Sequence, residues 1–302
     1  MTEPSGILIV NKHVGVTSHD IVGRVRRLFG TRRVGHTGTL DPLASGVLVV
    51  LIGRAAKAAE FLSADQKRYR ATLRLGITTD TEDITGNVLT SIDTLPDCEA
   101  VQSACQKFVG DIMQIPPMYS ALKVGGQKLC DLARKGVSVE RSARPVTVFE
   151  LLCAPTDNKS DYTLDIHCSS GTYVRTLCAD IGKDLACGGV MATLERRMAG
   201  GFDIEDSHTI AELEEMSEDE RLACLIPTER LFDTLPAVHL PEFFERLCRG
   251  GCEIYQKKIK TSYELGTRVR LCSANGEFFA LGEVREYDDG SAIKSLKMFN
   301  LD

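Results

Sequence analysis

The sequence predicts an α/β protein in two parts, and three observations carry that expectation. Strand-length apolar runs alternate with amphipathic helical patterns over residues 6–188. An acid-rich change of composition falls at residues 203–220. Beyond Pro236, short strands punctuated by the turn signals Asn275-Gly276 and Asp289-Gly290 predict a small β-barrel. The boundary is placed near residue 232, separating residues 1–231 from 232–302. With 302 residues, 43% of them apolar, the chain has material for two cores, and global disorder is excluded.

Residues 6–10 read as a short buried strand, followed by a turn through Lys12, His13 and Gly15. Thr17 opens a helix with Asp20 three positions on, as in a capping box. Ile21, Val22, Val25, Leu28 and Phe29 supply its apolar stripe, and Gly30 ends it. Arg24, Arg26 and Arg27 fall mainly off that stripe, toward solvent or a ligand. A loop then leads to a continuous apolar strand at 47–52 and a short helix at 55–62. Residues 67–76 alternate: Tyr69, Ala71, Leu73 and Leu75 face one side, Arg68, Arg70, Thr72 and Arg74 the other. An arginine-rich strand face is unusual for a purely structural element. Residues 116–145 are loop-rich and basic. Strands follow at 146–153 and 162–168, then a helix at 172–188. The acidic stretch has helical spacing, and the last part reads as a helix at 243–248 with strands at 253–255, 267–272, 278–284 and 292–298.

The net charge of -6 argues against a nucleic-acid partner until it is divided along the chain. Residues 1–75 hold twelve basic and five acidic residues, a local charge of +7, whereas residues 203–220 hold nine acids and no Lys or Arg. The eleven cysteines form no C-x-x-C pair and several lie within apolar runs, which points to reduced thiols rather than a disulfide or zinc framework. No apolar run reaches membrane-spanning length and no signal peptide precedes the first strand, so a cytoplasmic protein without a membrane partner is expected.

The segment from Gly35 to Gly46, Gly-His-Thr-Gly-Thr-Leu-Asp-Pro-Leu-Ala-Ser-Gly, is a glycine-punctuated loop between the basic helix and a buried strand. Proline after Asp41 restricts that residue's backbone and so the direction of its carboxylate. Composition alone also allows a simple Asx-turn. No phosphate-loop or nucleophile-elbow signature is present, and the spacing of His36, Asp41, Asp80 and Asp83 matches no standard metal-ligand pattern.

This loop resembles the catalytic motif of the TruB family, the bacterial tRNA pseudouridine synthases that modify the T-arm uridine at tRNA position 55. The likeness continues in order through Gly6-Ile7-Leu8-Ile9-Val10-Asn11-Lys12, Lys67-Arg68-Tyr69, Thr79-Asp80-Thr81-Glu82-Asp83, Pro116-Pro117-Met118-Tyr119-Ser120-Ala121-Leu122-Lys123, Ala143-Arg144-Pro145 and Cys168-Ser169-Ser170-Gly171-Thr172-Tyr173-Val174-Arg175. It spans residues 6 to about 200. A weaker likeness to the small RNA-binding PUA-type barrel covers Gly266-Thr267-Arg268-Val269-Arg270-Leu271 and Leu281-Gly282-Glu283-Val284.

The resemblance implies a mixed, largely antiparallel sheet flanked by helices, followed by a PUA-like barrel. It implies isomerisation of uridine to pseudouridine without metal or cofactor, by a stand-alone monomer whose partner is the T-stem-loop of tRNA. Asp41 matches the catalytic carboxylate, Arg175 the arginine that pairs with it, Tyr69 the aromatic that stacks on the base, and Tyr173 a second active-site tyrosine. His36 matches the residue that assists base flipping. Lys12, Arg24, Arg27, Arg68 and Lys123 are assigned to RNA contact, with residues 116–145 as an RNA-gripping insertion. Residues two apart on a helix do not share a face, so Tyr173 and Arg175 both reach the site only if their segment is extended or in a first helical turn. Lys12-His13 departs from the family's usual Lys-Pro, and Cys130 stands where an aromatic is usual. The alternatives are a non-catalytic tRNA-binding or RNA-folding protein on the same scaffold, a metal-dependent hydrolase using His36, Asp80 and Asp83, and a guided synthase acting on ribosomal RNA. The last is disfavoured because the chain starts almost directly at its first strand.

Overall fold

The computed structural model describes residues 3–61, 66–120 and 122–300, with the side chains of Lys123 and Lys128 outside the described set. Its larger sheet runs in the order Gly6–Lys12, Ala44–Ile52, Gly189–Ala199, Lys67–Leu75, Asp161–Cys168, Arg144–Pro155, Gly110–Gln114. Val34–Thr37 pairs with Ala44–Ile52, and Phe202–Asp203 with Gly189–Ala199. Ala44–Ile52 and Gly189–Ala199 run parallel, while the other neighbours are antiparallel. This is the mixed, largely antiparallel sheet expected.

The first helix, Ser18–Leu28, forms as its sequence dictates: Thr17 and Asp20 complete a reciprocal capping box, worth about 1 kcal/mol. Its stripe packs Ile21, Val22 and Val25 onto Leu8, Val10, Leu48 and Val50. Strand Ala44–Ile52 is buried on both sides, which is why residues 47–52 read as one continuous apolar run. On the other half of the sheet, helices Val174–Asp184 and Cys98–Gln106 cover the face formed by Tyr69, Ala71, Leu73, Leu164 and Ile166.

Several expectations need correction. The helix at 55–62 is a 3-10 helix, Gly53–Phe61, and Leu62 lies outside the described residues. The catalytic-type loop begins as a strand, Val34–Thr37. Strand Gly189–Ala199, at the middle of the sheet, has no counterpart in the sequence reading. The insertion carries a small hairpin, Lys123–Val124 with Gln127–Lys128, and a helix, Leu129–Arg134.

The C-terminal sheet has five strands in the order Ala237–His239, Arg268–Cys272, Phe278–Tyr287, Gly290–Met298, Ile254–Tyr255, with no ladder joining its end strands among the described residues. It is therefore half-barrel-like. Phe232, at the expected boundary, is buried against Phe278 and Phe299 of this second part, so an aromatic seam joins it to the first. No helix among the described residues is long and apolar enough to cross a membrane.

Candidate active site

The loop holding Asp41 is fixed from several directions. Leu40 N–H donates to Ser18 Oγ at 2.8 Å, and the same hydroxyl donates to Leu40 O at 3.1 Å, tying the loop to the start of the first helix. Ala44 N–H donates to Asp41 O at 3.0 Å, closing a turn with Pro42 in its second position, where proline's fixed φ is favoured. Gly15 N–H donates to Pro42 O at 2.8 Å. These backbone bonds leave the carboxylate to another partner: Asp41 Oδ2 lies 2.9 Å from Arg175 Nη2, with the arginine side chain 5% exposed and the aspartate 38%. The Asx-turn alternative gives way to a carboxylate aimed at a buried guanidinium.

Arg175 is held in turn by neutral acceptors, donating to Tyr119 O at 2.7 Å and Thr81 O at 3.2 Å. These two carbonyls draw together the blocks around residues 79–83 and 116–123, although the sequence assigned no role to Thr81 or Tyr119 themselves. Tyr173 is the residue before the helix and is extended, at φ -100 and ψ 109. Its backbone N–H donates to Gln114 Oε1 at 2.8 Å, and Gln114 Nε2 donates to Tyr173 O at 3.0 Å. The requirement on Tyr173 and Arg175 is thereby met: one lies just outside the helix and the other in its first turn. Burial raises the Tyr173 phenol above its ordinary value, opposed by the neighbouring Ser120 hydroxyl and the charge of Arg175.

Tyr69 is buried, on the same sheet face as the core, and its phenol too is raised by burial, with Arg196 opposing. Lys12 is fully buried and donates to His13 O at 3.0 Å and Val16 O at 2.9 Å. Burial lowers its pKa from 10.5 to about 8, with Asp41 opposing and Arg196 adding to the fall. His36 is half-buried on strand Val34–Thr37; burial lowers its pKa, reinforced by Arg196 and His19, and its Nδ1 is buried without a partner. The neutral ring is thus the favoured form near pH 7.

The remaining assigned residues do not gather here. Arg68 projects from the sheet face opposite Tyr69, 4.0 Å from Glu150. Its neighbours on that face are also paired across strands, Arg70 with Asp165 at 2.8 Å and Arg74 with Asp161 at 2.7 Å, so the arginine-rich face is a ladder of ion pairs. Arg24 lies 3.9 Å from Glu214, and Arg27 is exposed on the first helix. The Lys123 side chain is outside the described residues. For the metal alternative, the Asp80 carboxylate is bound by Asn87 and that of Asp83 by Thr81 and Thr85; among the described residues no three His, Cys, Asp or Glu side chains converge. All eleven cysteines are free thiols.

Sequence reasoning also missed Ser18, Gln114 and Arg196. Ser18 and Gln114 act through backbone contacts that leave no spacing signal. Arg196 lies on the strand that was not read.

Residues 26–174 match the family model "TruB family pseudouridylate synthase (N terminal domain)", and residues 175–233 match "tRNA pseudouridylate synthase B C-terminal domain". The chain belongs to the TruB family. It is 43% identical over 301 residues to the tRNA pseudouridine synthase B of Syntrophotalea carbinolica, covering 98% of both chains. It is 38% identical over 292 residues to the protein of the same name from Haemophilus influenzae, covering 95% of this chain and 92% of the relative. Among solved structures, a chain in the crystal structure of a Cbf5-Nop10-Gar1 complex shares the fold with a TM-score of 0.74 at 23% identity, over 98% of this chain and 85% of that one.

Proposed function

We propose that this protein isomerises the T-arm uridine at tRNA position 55 to pseudouridine, acting alone in the cytoplasm as a monomer. The reading is supported by the Asp41 carboxylate held 2.9 Å from a buried arginine, in a chain 43% identical to a tRNA pseudouridine synthase B. The reaction breaks the bond between uracil N1 and ribose C1′, turns the base and rejoins it through C5. It consumes no group donor and changes no oxidation state, so one ionised carboxylate placed at the reacting base suffices as nucleophile or base. Arg175 holds and orients that carboxylate through the ion pair. Tyr69 supplies a ring for the base to stack on, Tyr173 is a second tyrosine of the site, and His36, neutral near pH 7, fills the stack that the flipped base leaves, at a cost of about a few kcal/mol for extrusion. Residues 232–302 form a second RNA-binding unit, and residues 116–145 together with Arg27 grip backbone phosphates.

Asp41→Asn keeps the shape of the side chain and a hydrogen-bond acceptor for Arg175 but removes the charge. The variant is expected to fold, to bind unmodified tRNA transcript and to form no pseudouridine in chelator-containing buffer. Continued conversion by the folded variant would refute the assignment, and absence of product from the wild-type protein on the same transcript would remove the tRNA reading.

A further inference from the structure

Among the described residues, Arg196 is the largest side chain that is fully buried, at 1% exposure, and no carboxylate among them lies within ion-pair distance of it. A buried guanidinium that meets only neutral acceptors is a poor stabilising device, because desolvating the charge is offset less than it would be by a counter-ion. Its hydrogen bonds instead fall on the two ends of one loop. Nε donates to Val47 O at 2.7 Å and Nη2 donates to Gly38 O at 3.1 Å, and Asp41 lies between those two residues. The backbone is equally close: Arg196 pairs with Gly46, where an added Cβ would fall 2.2 Å from Arg196 O, so only glycine at φ +98 admits this approach. On its other side Arg196 is the direct cross-strand partner of Tyr69, on the same face of the sheet.

We infer that Arg196 is a positioning residue for the reaction: a fork that clasps both ends of the Asp41 loop and fixes Tyr69 beside it, so that carboxylate and ring keep one spacing while RNA enters. It touches no substrate and acts through Asp41 and Tyr69. A planar guanidinium presents its donors to the two carbonyls from separate nitrogens in a fixed plane, whereas the donors of lysine radiate from one atom, so charge without the fork does not suffice. The inference rests on the reading of Asp41 as the catalytic carboxylate.

The test is single-turnover conversion of unmodified tRNA transcript, with tRNA affinity and thermal unfolding measured on the same preparations of wild type, Arg196→Lys and Arg196→Met. The rate is expected to fall about tenfold or more in Arg196→Lys and about 100-fold in Arg196→Met, the scale of a misplaced reacting group, while tRNA affinity stays within about twofold. A role limited to holding the fold would move affinity and unfolding together with the rate, and that result overturns the inference. Should Arg196→Met not fold, Arg196→Lys decides alone, and a wild-type rate there also overturns it. Asp41→Asn is run beside them: an inactive Asp41→Asn with an unimpaired Arg196→Lys removes only the role of Arg196, whereas an active Asp41→Asn removes the underlying reading of the site.

Discussion

Lys12 shows how a single buried charge sets the site's electrostatics. Its ammonium is out of solvent, held by two turn carbonyls, and its pKa is lowered to about 8. Because the folded value lies below 10.5, the cost of burying the charge is present below about pH 8 and is relieved as pH rises toward the unfolded value. Around pH 8 the positive charge that Lys12 presents to Asp41 is therefore lost, while that of Arg175 remains. The single-turnover rate is expected to fall on the alkaline side with an apparent pKa of about 8, and Lys12→Arg, whose guanidinium stays protonated, is expected to push that limb upward even if its plateau is lower. An unmoved limb in Lys12→Arg would assign the titration to another group. Asp41, Arg175, Tyr69, Tyr173 and His36 are singled out because a long ordered resemblance names them. Ser18 and Gln114 are not, because a hydroxyl or amide that clasps backbone leaves no periodic mark.

The same contrast holds for whole elements. The strand Lys67–Leu75 was readable because one face is apolar and the other charged, yet the meaning of the charged face came only from its neighbours. Strand Asp161–Cys168 sets Asp161 opposite Arg74 and Asp165 opposite Arg70, turning that face into a cross-strand ladder. Strand Gly189–Ala199 escaped notice because Glu195, Arg196 and Arg197 interrupt its apolar alternation, although Arg196 points inward for a reason local pattern cannot express. The Asp161 and Arg74 pair makes two hydrogen bonds of 2.7 Å, and the first cause of the lowered Asp161 pKa is its hydrogen bond from Arg74. A depressed carboxylate contributes stability above its unfolded pKa and loses it as pH falls through the folded value. In urea unfolding, Asp161→Asn is expected to cost about 1 kcal/mol at pH 7 and progressively less as the solution is acidified below the ordinary carboxylate range. An equal loss in strong acid would mean that packing, not charge, explains the effect.

At the scale of the molecule, the opposing charges along the chain turn out to be neighbours. The acidic stretch forms helices Ile210–Glu215 and Glu218–Ala223, and Glu214 of the first meets Arg24 on the basic helix. Arg197 likewise meets Glu205 at 3.0 Å. Part of the +7 of the N-terminal quarter is therefore neutralised inside the fold, and the cations left for RNA are fewer than the sequence count suggests. Arg24, paired with Glu214, and Arg68, on the far face with Glu150, are weaker candidates for phosphate contact than Arg27, which is exposed beside the site-bearing elements. The logarithm of tRNA affinity is expected to fall linearly with the logarithm of salt concentration despite the net charge of -6, since affinity follows the local phosphate contacts rather than the sum. Arg27→Glu should weaken binding and flatten that slope by about one unit. Arg68→Glu should do so much less, and Glu214→Gln, which releases Arg24, should leave binding unchanged or tighter. Filter-binding titrations of the three variants across a salt series decide the matter: a salt-independent wild-type affinity, or equal effects at Arg27 and Arg68, would show that RNA approaches by a different face from the one Asp41 and Tyr69 define.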